Sequence, residues 1–223
     1  MSKKIKYFVL GILSVCVLLF VLAYMYASVP RVVTPKNVGD IHLIEDPEQK
    51  QIFYGDLNDF PHTYEVRVTE PITLYTEIRV PNISESENVI SGIIIKEQKR
   101  GTRVLEIARL HAREGGWESI YDPYGGDSYR QGPSFETVLD AGVYRIEVHT
   151  PNNKEKYALH VGTNTSIDIG YFQLLGRLIE VKNFFGKSSL MLIQSMFVYP
   201  LVVLVCTFLI YAWYGRRSGK GDV

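Results

Sequence analysis

The sequence predicts a mainly β protein: an extracytoplasmic antiparallel β-sandwich of jelly-roll type, flanked by N- and C-terminal transmembrane helices and carrying a juxtamembrane amphipathic helix. Three observations predict it. Two long uncharged runs, Tyr7–Val29 and Leu190–Tyr214, bracket the chain. Between them, apolar and polar residues alternate with period two in short stretches broken by Gly, Pro, Asn and Asp, the pattern of half-buried strands. Just before the second run the period changes to three and four residues, the pattern of a helix with one apolar face.

The first run has 23 residues and the second 25; a helix needs about 20 apolar residues to cross a bilayer. Lys3, Lys4 and Lys6 precede the first run, and Arg216, Arg217 and Lys220 follow the second. Basic residues mark the cytoplasmic side, so both termini are expected in the cytoplasm and the middle outside, in a two-pass cell-membrane protein. A cleaved signal peptide is the competing reading of the first run. Its Lys-rich start and Ala27 fit, but the run is long for such a segment and Tyr24-Met25-Tyr26 is a poor cleavage site. Gln194, Ser195, Tyr199 and Pro200 interrupt the second run and read as a kinked helix whose polar groups pair internally. Two helices without an ionisable residue make a poor transport path.

Charge and cysteine content exclude several classes. From Ser28 to Lys187 there are 18 basic and 23 acidic residues, the opposite of a nucleic-acid footprint. Both cysteines, Cys16 and Cys206, lie in the uncharged runs, so the middle has no disulfide and no thiolate metal site.

Taken in order, residues 1–6 are a cytoplasmic tail, 7–29 a transmembrane helix and 30–50 a linker interrupted by Pro30, Pro35, Gly39 and Pro47, expected to run extended from the membrane. The sandwich spans 51–165. Tyr64, Val66 and Val68 alternate with polar residues, as do Ile72, Leu74, Thr76, Ile78 and Val80. Gly92–Lys96 and Val104–Leu110 are expected to form a hairpin, with Lys96, Lys99, Arg100 and Arg103 at its solvated tip. Ser134–Leu139 is a further strand. Val143–Thr150 and Lys156–Val161 follow, with Tyr144, Ile146, Val148, Tyr157, Leu159 and Val161 inward. Seven to nine strands are expected between Gln51 and Gly162. The region 167–186 is the amphipathic helix, ended by Gly186; it lies at the outer leaflet, continues the membrane helix upward, or packs under the sandwich as a base. Residues 190–214 form the second transmembrane helix and 215–223 a cytoplasmic tail.

The stretch Asp140-Ala141-Gly142-Val143-Tyr144-Arg145-Ile146-Glu147-Val148, with Lys156-Tyr157-Ala158-Leu159-His160-Val161, resembles the closing strands of pre-peptidase C-terminal (PPC-like) domains. That resemblance covers about 25 residues and implies a jelly-roll β-sandwich used as an accessory module on secreted proteins. The whole arrangement is similar to two-helix membrane proteins of bacteria and archaea, a likeness that implies architecture and no activity. No protease domain is expected within these 223 residues, so a role in peptidase maturation is not expected.

Chemistry concentrates in Trp117–Phe135, an irregular segment with five aromatics, Gly125-Gly126, Asp122, Asp127 and Arg130. Trp117 and Phe135 are expected to fill the sandwich edge. Tyr124, Asp127, Tyr129 and Arg130 form the candidate ligand-binding surface, where rings stack on a sugar or peptide and the polar groups hydrogen-bond. Asp122 and Asp127 are a weak candidate calcium pair; plain turn chemistry is the stronger reading of both. No other cofactor is expected. The sequence has no Gly-x-Ser-x-Gly and no His-x-x-x-His. His111, His149 and His160 read as surface positions on strands. Asn82-Ile83-Ser84 and Asn164-Thr165-Ser166 match the glycosylation sequon. The expectation is a non-enzymatic binding module or an accessory subunit of a membrane complex, partnered by the membrane and by another membrane protein or a cell-surface polymer, with no nucleic acid. The alternative is a membrane-tethered hydrolase acting on such a polymer.

Overall fold

The computed structural model describes residues 3–25, 27–82, 90–98, 104–111, 117–165 and 169–218, with the backbone alone at 3–9 and 213–218. The tip cluster at 99–103, the sequon positions 83, 84 and 166, and the outermost tail residues lie outside the described residues. Helix α1 (Lys3–Met25) leads into β1 (Val29–Val33), β2 (Ile41–Leu43), β3 (Gln51–Asp56), β4 (His62–Val68), β5 (Ile72–Pro81), β6 (Ser91–Glu97), β7 (Val104–His111), β8 (Glu118–Asp122), β9 (Asp127–Leu139), β10 (Gly142–His149) and β11 (Lys156–Val161). Helix α2 (Tyr171–Phe184), a 3-10 helix (Ser189–Gln194) and α3 (Tyr199–Ser218) complete the chain.

The strands form two sheets, one ordered β1-β3-β11-β5-β9-β8 and the other β2-β4-β10-β6-β7. Alternation sends Leu74, Ile78, Ile146, Val148, Tyr157 and Leu159 into the core between them, all at 2% exposure or less. The inward residues of β10 and β11 are those the period-two pattern predicts, and among the described residues nine strands run from Gln51 to Val161. The β6–β7 hairpin forms as expected.

Two expectations are corrected. The stretch read as a linker carries two strands, and both pair in parallel: β1 with β3 and β2 with β4. The sandwich is therefore mixed rather than purely antiparallel. These strands are five and three residues long, and their parallel partners lie well beyond any turn, so local patterning carries little of the signal. The segment Trp117–Phe135 is not irregular. Its ends are β8 and the first half of the 13-residue β9, an antiparallel hairpin closed by Pro123–Gly126.

Strand β11 is buried on both faces. Ala158 is fully buried and His160 is 8% exposed, because a second apolar core covers the outer face of the six-stranded sheet. Ile52, Tyr54, Tyr129 and Ala158 of the sheet meet Leu174, Leu178, Val181 and Phe185 of the α2 segment. Of the placements left open for the amphipathic helix, it takes the base under the sandwich. Gly186, at φ 66°, ends the helix in a Schellman arrangement: Gly186 N–H donates to Asn183 O and Lys187 N–H to Lys182 O, both at 2.9 Å.

The second uncharged run is not one helix. Its first part is the 3-10 turn, and α3 starts at Tyr199 with Pro200 in its first turn, where a missing N–H costs nothing. Helices α1 and α3 pack against each other. Leu10, Leu13, Val17, Leu18 and Val21 of α1, and Leu201, Val205, Phe208, Leu209 and Ile210 of α3, remain exposed. Among the described residues, no helix is long and apolar enough to cross a membrane.

Candidate functional site

The β8–β9 turn begins with Asp122. Its carboxylate Oδ1 accepts the Tyr124 N–H at 3.0 Å, and its backbone carbonyl accepts the Gly126 N–H at 2.8 Å. Gly126 then adopts φ 70°, a left-handed conformation that glycine enters without steric cost. From there Asp127 and Tyr129 alternate onto the outer sheet face, under α2. Tyr129 packs edge-on against Phe185, with ring centroids 6.2 Å apart. Tyr124 donates from its hydroxyl to Ser28 O and stacks edge-on against Phe197 at 4.9 Å.

The candidate surface is thereby corrected in place. Tyr124, Asp127 and Tyr129 are 4%, 4% and 2% exposed, and Arg130 is half-buried. Tyr124, Asp127 and Tyr129 form an internal seam because α2 and the 3-10 segment cover the sheet face they occupy, while Arg130, next to Tyr129 in β9, falls on the other face. Trp117 and Phe135 are partly buried against the inter-sheet core. A Cβ at Gly132 would lie 2.9 Å from the Trp117 ring, so the glycine admits the indole. Tyr121 is the ring of this hairpin that stays exposed, and its hydroxyl donates to Gln194 O at 3.0 Å.

Asp127 is the centre of the seam. Lys182 Nζ lies 2.8 Å from Asp127 Oδ2 and Lys187 Nζ 2.6 Å from Oδ1. Lys182 also donates to Gly126 O at 3.3 Å. The Schellman turn at Gly186 brings these two lysines, five residues apart, to the same carboxylate. Backbone contacts continue the clamp. Met196 N–H donates to Pro123 O at 2.9 Å, and the Ser195 hydroxyl donates to Tyr124 O at 2.6 Å. Gln194 and Ser195, two of the polar residues that interrupt the second uncharged run, thus dock on the β8–β9 turn.

The two aspartates proposed as a calcium pair flank Gly125; a Cβ there would sit 3.3 Å from Asp127 Oδ2 and 3.6 Å from Asp122 Oδ2. Burial raises the Asp122 pKa, and the Tyr124 and Gly125 amides oppose that shift. Both Asp127 oxygens already face ammonium groups. Among the described residues, no group of three or more His, Cys, Asp or Glu side chains gathers as a metal site.

Histidine placement departs from the surface expectation at one position. His160 is buried on the outer sheet face, where burial, then Arg79 and Lys50, push its pKa well below the ordinary range. His62 is buried between the sheets, its Nδ1 2.8 Å from Tyr157 Oη, which in turn lies 2.8 Å from Tyr64 Oη. His111 is exposed at the edge of the five-stranded sheet, with Nδ1 2.8 Å from Ser91 Oγ.

No family model matches this sequence, and no curated protein matches it. Among solved structures, a pre-peptidase C-terminal domain of collagenase from Bacillus anthracis aligns at 11% identity over 57% of this chain and 98% of that one, with a TM-score of 0.36. The Eiger TNF structure from S. frugiperda aligns at 15% identity over 47% of this chain and 67% of that one, with a TM-score of 0.23. The β-sandwich assignment rests on the strand order itself.

The lysines of the clamp were invisible to motif reading. Lys182 looks like a polar position on an amphipathic helix, and only the register of α2 over β9 buries it.

Proposed function

We propose that this chain is a membrane-anchored accessory subunit: α1 and α3 anchor it in the bilayer, and the PPC-like, jelly-roll-type sandwich stands outside as a rigid extension of that anchor. The observation that carries this reading is the clamp of Asp127 on Lys182 and Lys187, continued by the Met196–Pro123 backbone bond. A flexibly tethered binding module needs no such seam. A module that recognises a cell-surface polymer with its hairpin aromatics needs those rings exposed, and Tyr124 and Tyr129 are buried.

Membrane anchoring is supported by the uncovered apolar faces of α1 and α3 and by the length of the uncharged runs in the sequence, which extend beyond the described side chains. Both termini then lie in the cytoplasm. Retention of the first run is supported by Ala23 and Ala27, which are buried in the second core, and by Phe20, whose ring lies 5.0 Å from Tyr171. The partner is another membrane protein seated on the helix pair. A photo-crosslinking residue at Phe208 tests this in native membranes. An adduct with a second protein, retained on purification in mild detergent, is the expected result; a monomer with lipid adducts alone overturns the accessory role.

The hydrolase reading keeps one observation in its favour, the Ser91–His111 contact at 2.8 Å. It lies at an exposed sheet edge rather than in a cleft, and among the described residues no carboxylate is hydrogen-bonded to His111. A nucleophilic serine needs its base oriented by a third group.

A further inference from the structure

We infer that a cavity beside the clamp binds the phosphate-class head group of an anionic amphiphile. The cavity measures about 490 Å³, within the ~300–1,000 Å³ of small-molecule sites. Its polar wall carries Lys50, Arg79 and His160, with the Asp122 carboxylate beside them. Strand register puts them together. His160 on β11 stands opposite Ile52 on β3 and Glu77 on β5, and Lys50 and Arg79 lie two residues from those positions on the same outer face.

Lys50 and Arg79 repel each other across this partly dry space, and their charges oppose protonation of His160. Burial lowers the pKa of both Lys50 and His160; Asp122 and Glu77 raise that of Lys50, and Arg79 lowers both. The nearby acids offset part of this charge, and each also has other partners. Glu77 takes Arg79 Nε and, at 2.5 Å, the Tyr75 hydroxyl. Asp122 lines the cavity and attracts Lys50, but its Oδ1 is held by the Tyr124 amide. Among the described residues, neither the Lys50 ammonium nor the His160 ring has a side-chain hydrogen bond or ion pair. A phosphate oxygen set between them satisfies both and relieves the repulsion.

The opposite wall is apolar: Ile52, Ile120, Tyr121 and Met196. Met196 immediately precedes the segment that enters α3, and Ser28, also lining the cavity, follows α1. The cavity therefore lies where the two helices leave the sandwich. On the membrane-anchored reading proposed above, that level is the lipid head-group region, and the apolar wall receives the first carbons of a chain. A free phosphate uses the same cationic wall without the apolar one.

The test titrates full-length protein in a non-ionic detergent with dihexanoyl phosphatidic acid, dihexanoyl phosphatidylcholine and inorganic phosphate, following thermal unfolding. Phosphatidic acid is expected to stabilise saturably, and the other two to bind at least about tenfold more weakly. Lys50→Met should weaken phosphatidic acid by about tenfold or more, Lys50→Arg should restore most of it, and Arg145→Met on the other sheet should change nothing. No saturable shift, or an equal shift in Lys50→Met, overturns the site. Inorganic phosphate binding as tightly as phosphatidic acid overturns the amphiphile. Carbonate extraction of cell membranes reports anchoring separately: release of the chain removes the membrane reading and leaves the phosphate titration interpretable.

Discussion

Lys182 donates to Asp127 at 2.8 Å across 55 residues of chain, with the two side chains 1% and 3% exposed. A charge pair this dry is held for geometry more than for net stability, because desolvation offsets much of its Coulomb attraction. Here the geometry joins the edge hairpin of the sandwich to the helix beneath it.

Removing the carboxylate should therefore cost more than removing either ammonium. Asp127→Ala leaves Lys182 buried without a counter-charge and should lower stability by about 3–5 kcal/mol. Lys182→Met leaves Lys187 on Asp127 and should cost about 1–3 kcal/mol. Lys187→Met, at a side chain 24% exposed, should cost under about 1 kcal/mol. The double change Asp127→Leu/Lys182→Met should recover most of the first loss. Thermal or denaturant unfolding of the purified chain gives the ranking, and equal costs at all three positions would contradict the clamp.

Two glycines should respond with opposite signs to alanine. At Gly126, φ is 70° and a Cβ would lie 2.7 Å from Gln194 C and 2.9 Å from Ser195 N, both backbone atoms. Gly126→Ala should cost about 1–3 kcal/mol and open 187–198 to protease. At Gly176, within α2, a Cβ meets nothing within 4 Å, so Gly176→Ala should stabilise by about 0.5–1 kcal/mol. Unfolding midpoints and digestion maps check both.

Stability should fall on mild acidification. Burial pushes the His62 pKa down to about 4 from its ordinary 6.5. Below pH 6.5 the unfolded chain takes up a proton that the folded chain refuses. The contribution is therefore fully present above about pH 6.5 and is lost as pH falls toward 4. His160, shifted in the same direction, adds to the slope. His62→Gln keeps a polar partner for Tyr157 and should flatten the pH dependence; an unchanged slope would show that His62 does not titrate this way.

A fluorophosphonate probe separates the accessory and hydrolase readings. No labelling of the native protein is expected. Labelling that disappears in Ser91→Ala would give the Ser91–His111 contact a catalytic meaning and displace the accessory reading.

The strand content, the inward residues of β10 and β11, the β6–β7 hairpin and the Gly186 stop were legible in the sequence. Each depends on neighbours a few residues away, where alternation and turn chemistry act directly. The uncharged runs and the acid-rich middle were equally plain, since composition needs no fold to be counted. Tertiary structure alone decided that β1 and β2 join the sheets, that β11 is covered on both faces, and that Tyr124, Asp127 and Tyr129 turn inward. Those outcomes depend on which face α2 covers and on parallel pairing between distant segments. Asp127 read as a possible ligand while its partners, Lys182 and Lys187, lay 55 and 60 residues further along the chain. Only packing brings them to it, and packing is what turns an apparent working surface into the joint between the sandwich and its helices.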